Sequence, residues 1–523
     1  MAWERATEGD KGLRHWTGFT LIAAALMLAA PLWSVWAPAM PDYPAHFASF
    51  ALIENGRPTS AYHLQWVFVP NLASEILVPW LARLTGLETA LKLFLTAAVF
   101  LWVLGPGAIH RALYGRTGIA PLFGAFFAYN ANFIWGFFNY YFAAGLSFLV
   151  FAGWIATENR NGPWRLAGFT LAVTALYFCH LFAIAGLLLM LAGFEVAQNA
   201  RLENRDLAAL ARRAARVATL YIPAALAFLF LKPHSAGDDT AFNLADTMLD
   251  RFESLMLHAF DDPAYVLPVC LLGGLGLALL FGKARLHPAM WGSLALLLVA
   301  AILAPEWAAG GWAVHLRLPA VFAVLLFASA ELRMTPPVRA GLAVLALVMI
   351  GWSAWSLAQT WRGYDRNYRA FQAALPGIPR GARLLTVLDG NAIGMQSDQP
   401  YWHMAEFAVP VRDAFTPLLF TTKGQHVVQL NPAYAPYAAA TAQQGSPPDI
   451  DELDFLASGR MDADEDMALV TPYLKYFQCH FDIAVVVYLD GKPSPAPAML
   501  KLRQAHSFFS LYDIVPDRMC ARP

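Results

Sequence analysis

The chain has 523 residues, 58% of them apolar and 14% charged, with a net charge of −1 and a mean hydropathy of +0.45. Soluble proteins average about 45–50% apolar and about 25% charged residues. A disordered chain, a disulfide scaffold and an ordinary soluble enzyme are therefore excluded, which leaves a polytopic membrane protein with room for a further domain. The balanced charge gives no basis for nucleic-acid binding.

Bilayer-length apolar runs fall at 17–36, 91–109, 117–134, 137–156, 166–199 (long enough for two spans), 217–231, 264–282, 288–304, 317–330 and 338–358. They predict an α-helical polytopic membrane protein of about eleven spans. Residues 66–84 are apolar enough to add another, but they carry Pro70, Asn71, Glu75, Pro79 and Arg83. Lys/Arg bias arbitrates, because cytoplasmic loops are enriched in these residues. If 66–84 lies along the outer face, the five-arginine loop 200–216, Arg111, Arg116, Lys283, Arg285, Arg333 and Arg339 share the N-terminal side. The opposite loops then hold only Arg57, Arg83 and Arg251. The expected topology is thus a cytoplasmic N terminus, outer loops at 37–90 and 233–263, and an extracytoplasmic C-terminal region. The first apolar run, about 20 residues long, exceeds a signal-peptide core and reads as an uncleaved span.

After Trp361 the pattern changes to charged clusters and short β-like runs, Leu384–Leu388 and Ile483–Tyr488. Residues 1–361 therefore read as the transmembrane domain and 362–523 as a soluble α/β domain. Cys479 and Cys520 lie in that tail, where an oxidising compartment permits a disulfide; free buried thiols fit the spacing equally well.

The polar residues of the outer face carry the functional signal. Asp42 follows the first span directly, ahead of a short interface helix expected from His46 to Asn55 and stopped by Gly56 and Pro58. A carboxylate there suits deprotonation of a hydroxyl, or merely caps the helix. His46, four residues on, shares its helical face if the helix starts early. His63 precedes the segment holding Asn71 and Glu75, a carboxylate too costly to face lipid that fits a functional role and structural hydrogen bonding equally. Asn139 and Tyr140 sit in an aromatic and amide stretch, 129–141, suited to a membrane belt or to a sugar's alternating faces. His180 lies between two spans, an ionisable group at membrane depth that reads either as functional or as a satisfied packing histidine. His315 and Arg317 open a later span; Arg317 reads either as a snorkelling anchor or as a guanidinium fork for phosphate. There is no G-x-x-x-x-G-K-[ST], G-x-S-x-G, H-E-x-x-H or C-x-x-C, so neither cofactor nor metal is indicated.

The order of these parts resembles the GT-C superfamily of membrane glycosyltransferases, which includes protein O-mannosyltransferases and aminoarabinose transferases. The matching stretches, within 15–335, are Pro41-Asp42-Tyr43-Pro44-Ala45-His46, Gly86-Leu87-Glu88-Thr89-Ala90-Leu91-Lys92, Arg111-Ala112-Leu113-Tyr114-Gly115, Cys179-His180-Leu181 and His315-Leu316-Arg317-Leu318-Pro319. A second outer-loop acid common in that family is missing, since 129–141 holds only amides and aromatics. The resemblance implies transfer of a sugar from a polyprenyl-phosphate carrier to an extracytoplasmic glycan, lipid or protein, with inversion. It implies Asp42 as base with His46 beside it, and His180 and Arg317 near the phosphate. Substrate contacts would then come from His63, Asn71, Glu75, Asn139, Tyr140 and His315 as well. Placement in a bacterial inner membrane, among membrane lipids, follows from the same resemblance. A flippase for lipid-linked sugar, an O-antigen-ligase-type enzyme and a non-catalytic assembly partner remain alternatives.

Overall fold

The structure, a computed structural model, describes residues 9–517 and 520 except 161, 202–205, 232–239, 245–246, 257–265, 391–397, 440–445 and 458–471. Much of the expected outer loop 233–263, and the tip of the five-arginine loop, lie outside the described residues.

The chain is mostly helical. In order come α1 (Gly9–Trp33), α2 (Tyr43–Asn55), β1 (Tyr62–Leu64), α3 (Ala73–Thr85), α4 (Leu87–Tyr114), α5 (Ala120–Gly124), α6 (Ala131–Trp135), α7 (Phe138–Ala156) and α8 (Pro163–Cys179). They are followed by α9 (Leu181–Ala200), α10 (Leu207–Phe230), α11 (Met248–Met256), α12 (Val266–Leu280), β2 (Ala284–Leu286), α13 (Trp291–Leu303), α14 (Arg317–Ala328), β3 (Ala330–Leu332) and α15 (Pro336–Ala374). Five of the helices, α4, α7, α9, α10 and α15, are long and apolar enough to cross a membrane, and shorter apolar helices lie within α1, α12, α13 and α14. Leu229, Phe230, Leu280, Val348 and Trp355 point outward, exposed. Such side chains suit hydrocarbon rather than water. The chain is an integral membrane protein.

One expected span differs. The run 117–134 is not a single helix: it passes through α5, a 3-10 turn at Ala125–Ala128 and α6. Tyr129 (ψ 73) and Asn130 (ψ 174) break the helical path. Irregular backbone at membrane depth needs protein partners for its polar groups. Here Asn130 Nδ2 donates to Phe127 O (2.7 Å), Asn130 Oδ1 accepts from Asn132 N (3.0 Å), and Tyr141 Oη donates to Ala128 O (2.9 Å). Asn132 Nδ2 reaches Leu316 O at 3.2 Å. These amides, ambiguous in the sequence, hold a broken crossing together.

The segment after α1 is pinned from both sides. Lys92 Nζ donates to Val35 O at 2.7 Å, and Asp365, near the end of α15, accepts from Trp36 N and Ala37 N. The interface helix starts earlier than the apolar pattern suggested, at Tyr43 with Pro44 in its first turn, and stops where Gly56 (φ 62) donates to Leu52 O. α3 does not run away from this end: Asn71 before it and Lys92 after it both stay beside the α1–α2 connection. At the opposite end Glu331 binds Arg116 and Arg285 across the β2–β3 pair.

Beyond α15, which runs unbroken through Trp361, the tail forms a four-stranded mixed sheet. Its strands are β4 (Leu384–Asp389), β6 (Ile483–Tyr488), β7 (Leu500–Ala505) and β8 (Phe509–Ile514), in the order β4-β6-β8-β7, with β5 (Val428–Leu430) elsewhere. β4 and β6 pair in parallel, the rest antiparallel, and both are buried along their whole length. Such continuous apolar runs mark strands covered on both faces. Cys479 and Cys520 are joined by a disulfide. β5 pairs instead with β1 of the first loop, Tyr62 opposite Leu430 and Leu64 opposite Val428.

Candidate active site

Where that strand pair meets the bundle, a cavity of about 380 Å³ opens. Its walls come from the α1–α2 connection, the start of α7, the α8–α9 junction, the 309–317 loop and the tail segments 402–403 and 418–426.

Asp42 occupies the N-cap position of α2, yet its side chain caps nothing. Its backbone is fully engaged: Asp42 N donates to Trp135 O (3.1 Å) and His46 N donates to Asp42 O (3.0 Å). Gly136, at φ 93, packs its backbone against Asp42 Cβ, a position an L side chain rarely adopts. The half-buried carboxylate is thus aimed into the cavity, and among the described residues it accepts no hydrogen bond. Burial pushes its pKa up to about 7, against the pull of the His403 and Arg317 charges. His46 stacks between Phe138 (4.5 Å) and Phe50 (5.6 Å). Burial, then His426 and His403, lower its pKa to about 3, so it is neutral.

Arg317 stands on another wall, 7% exposed. Its guanidinium lies over three rings, Phe182 (4.8 Å), Tyr140 (5.1 Å) and Phe137 (5.2 Å). Nη2 donates to Trp312 O (3.0 Å), Nη1 lies 3.0 Å from His180 Nε2, and Nε has no partner. No carboxylate pairs with it among the described ion pairs. A buried cation held by rings and one carbonyl has capacity left for an anion. The loop that presents it contains Ala309 (φ 51) and Ala313 (φ 57), two left-handed alanines. Each costs about 1 kcal/mol or more. Gln425 Nε2 braces this loop through Gly310 O at 2.6 Å.

The predicted site residues separate into two groups. Asp42, His46, Asn71, Asn139, Tyr140, His180 and Arg317 all line the cavity. His63, Glu75 and His315 do not. His63 Nδ1 meets Asn431 Oδ1 at 2.9 Å beside the β1–β5 pair. His315 is 2% exposed, with Nε2 3.8 Å from Asp250. Glu75 shares Asn139 Nδ2 (2.8 Å) and Ser74 Oγ (3.0 Å). Asn139 also accepts from Ser74 N and donates to Asn71 O, so this cluster ties the start of α3 to α7. Burial raises the Glu75 pKa to about 7 despite those hydrogen bonds. Tyr140 Oη donates to Arg317 O at 2.6 Å.

Sequence reading missed the tail's share of the cavity. Trp402, His403, Phe420, Gln425 and His426 all line it. Phe420 sits among three imidazoles, those of His46 (5.2 Å), His403 (5.2 Å) and His426 (5.5 Å). Trp135 meets Trp312 at 5.3 Å and Trp402 at 6.2 Å, edge to face. The available signal was Trp402-His403 and Gly424-Gln425-His426, histidines next to or near an aromatic or Gly residue. Among the described residues no group of three or more His, Cys, Asp or Glu is disposed to hold a metal ion.

No protein-family model and no curated protein matches the chain. Solved structures do align over nearly all of it. The crystal structure of ArnT from Cupriavidus metallidurans bound to undecaprenyl phosphate is 12% identical, with 97% of this chain and 99% of that one covered and a TM-score of 0.46. The apo structure of the same protein is 11% identical, covering 96% and 98%, with a TM-score of 0.48. The mycobacterial arabinofuranosyltransferase AftD, by cryo-electron microscopy, is 17% identical, covering 97% of this chain and 42% of that one, with a TM-score of 0.40.

Proposed function

We propose that the chain is an integral-membrane glycosyltransferase that moves a sugar from a polyprenyl-phosphate donor to an extracytoplasmic hydroxyl acceptor. The observation that carries this reading is the pairing, in one cavity, of the Asp42 carboxylate, free of hydrogen bonds from the described residues, with the Arg317 cation, which has no carboxylate partner there. Trp135, Trp312 and Trp402 add apolar faces of the kind sugars stack on. The bundle is read as eleven-pass, with the cavity end and residues 362–523 outside and the N terminus inside.

In this reaction the acceptor oxygen attacks the anomeric carbon while its proton passes to Asp42. The bond from that carbon to the phosphate oxygen breaks, and the departing phosphate keeps the electron pair. Arg317, itself 7% exposed, neutralises the charge that builds there. The transition state has oxocarbenium character, and a single displacement inverts the anomeric centre. His180 steadies the guanidinium, and Tyr140 holds the Arg317 backbone carbonyl.

The test is purified protein in lipid with radiolabelled polyprenyl-phosphate sugars and a cell-envelope extract. Label transfer is expected, and Asp42→Asn abolishes it while expression and melting temperature stay at wild-type values. Unchanged transfer in that variant overturns the base assignment. Absence of donor consumption by the wild type favours the flippase or assembly-partner reading. A reporter fused at the C-terminal end that is active only in the cytoplasm overturns the orientation.

A further inference from the structure

His403 and Glu406 belong to the tail, on a short 3-10 segment (Met404–Ala408) lying over α2. That segment is anchored by Phe407, whose ring packs on Trp36 (4.8 Å), Tyr368 (5.4 Å) and Phe47 (5.8 Å). His403 Nδ1 lies 3.3 Å from Glu406 Oε1, with side chains 6% and 1% exposed. Glu406 Oε2 has no hydrogen-bond partner, and no other cation pairs with this carboxylate among the described ion pairs. A buried lone carboxylate is costly, whereas a carboxylate beside an imidazolium is tolerable. His403 lines the cavity that Asp42 also lines. We propose that the His403–Glu406 pair, supplied by the C-terminal region, is a positioning pair that keeps the Asp42 carboxylate ionised for its work as base.

The charges that meet here support this assignment. Burial alone would lower His403, but the Glu406 hydrogen bond and charge, and then the Asp42 charge, raise it above its ordinary value. A cation so placed works against the burial that raises Asp42. Facing groups on the neighbouring elements are few. Asp42 faces Arg317 from α14; His46 on α2 faces His403 and His426; Tyr62 of β1 and Tyr473 feel Glu406. His46 and His426 are both lowered by burial, to about 3 and about 4, and contribute no positive charge near neutrality. His403 and Arg317 are thus the two cations acting on Asp42 among the described residues.

The role of the pair rests on Asp42 acting as the base, so the test reads ionisation without relying on transfer. Full-length protein in lipid is treated with a hydrophobic carbodiimide, which modifies protonated carboxyls, across pH 5–9, and labelling of the Asp42 peptide is quantified by mass spectrometry. In His403→Gln and in the isosteric Glu406→Gln the labelling midpoint moves to higher pH, by about one unit, corresponding to a tenfold change in the ionisation constant. His403→Lys, which keeps the charge, returns the midpoint toward wild type. The acid limb of the transfer rate moves in parallel. Unmoved midpoints in the two Gln variants, or a move that Lys does not reverse, overturn the proposal; Glu406→Gln decides it should His403→Gln fold poorly. Moved midpoints in a protein that transfers no sugar leave the pair standing and overturn the glycosyltransferase reading.

Discussion

Arg317 and His180 meet at 3.0 Å, guanidinium Nη1 to imidazole Nε2, although 137 residues separate them in the chain. One opens α14 and the other stands at the N-cap of α9, with its Nδ1 3.2 Å from Phe182 N. A bidentate phosphate seat depends on such a fixed fork, which an ammonium cannot replace. Arg317→Lys is therefore expected to lower sugar transfer by about 10²-fold, the scale of losing one transition-state donor. Arg317→Gln is expected to lose more, with melting temperature near wild type in both. Steady-state transfer with a fixed donor concentration checks this.

Glu75 supplies a pH-dependent prediction. Its pKa is raised in the folded chain to about 7 from an ordinary 4.5. A raised group contributes stability that is complete below the unfolded pKa and lost as pH climbs through the folded one. Stability from this group is expected to fall between about pH 4.5 and pH 7, by up to about 3 kcal/mol. Glu75→Gln keeps an acceptor for Asn139 Nδ2 and removes the proton uptake. The variant is expected to melt higher than wild type at pH 8 and equally at pH 4.5, which thermal unfolding in detergent at the two pH values measures.

Much of this organisation was legible in the sequence, and the exceptions have physical causes. The α2 stop at Gly56 and the β4 and β6 strands follow from local chemistry, a left-handed cap and short, mostly apolar runs rich in Leu and Val. Asp42, His180 and Arg317 stood out because polar groups at span ends are rare against an apolar background. The break at Tyr129–Asn130 was hidden, since hydropathy records transfer energy and not backbone direction. His403 and Glu406 were hidden for another reason. In a tail rich in charge an acid and a histidine three apart are unremarkable until the fold buries them. Glu75 fitted function or structural hydrogen bonding equally, and Asn139 a membrane belt or a sugar; the fold spends most of their hydrogen bonds on each other and on Ser74 and Asn71.

Helix α9 crosses α13 at a pair of glycines. A Cβ on Gly193 would collide with the backbone of Gly292 and Ser293, and one on Gly292 with Gly193 O. Small residues let membrane helices approach this closely. Gly193→Ala is expected to destabilise the bundle by about 1–3 kcal/mol through overpacking, and Gly193→Leu to abolish accumulation of folded protein. Fluorescence-detected size exclusion after graded heating separates the two.

The Cys479–Cys520 bridge spans 41 positions of the tail. Closing a loop of that size is worth about 4 kcal/mol in the chain-entropy view. Replacing both cysteines by Ser is expected to make the tail sensitive to limited proteolysis at temperatures the wild type tolerates. The helical bundle stays intact, as helical circular dichroism at the same temperature checks.

The strand pair of β1 with β5 joins residues more than 360 positions apart. β1 is made more than 360 residues before its partner, and the tail segments 402–403 and 418–426 join the cavity wall long after the α1–α2 connection has been made. A chain released before residue 402 would carry Asp42 and Arg317 but none of the tail's share of the wall, leaving the two groups in a groove open on that side.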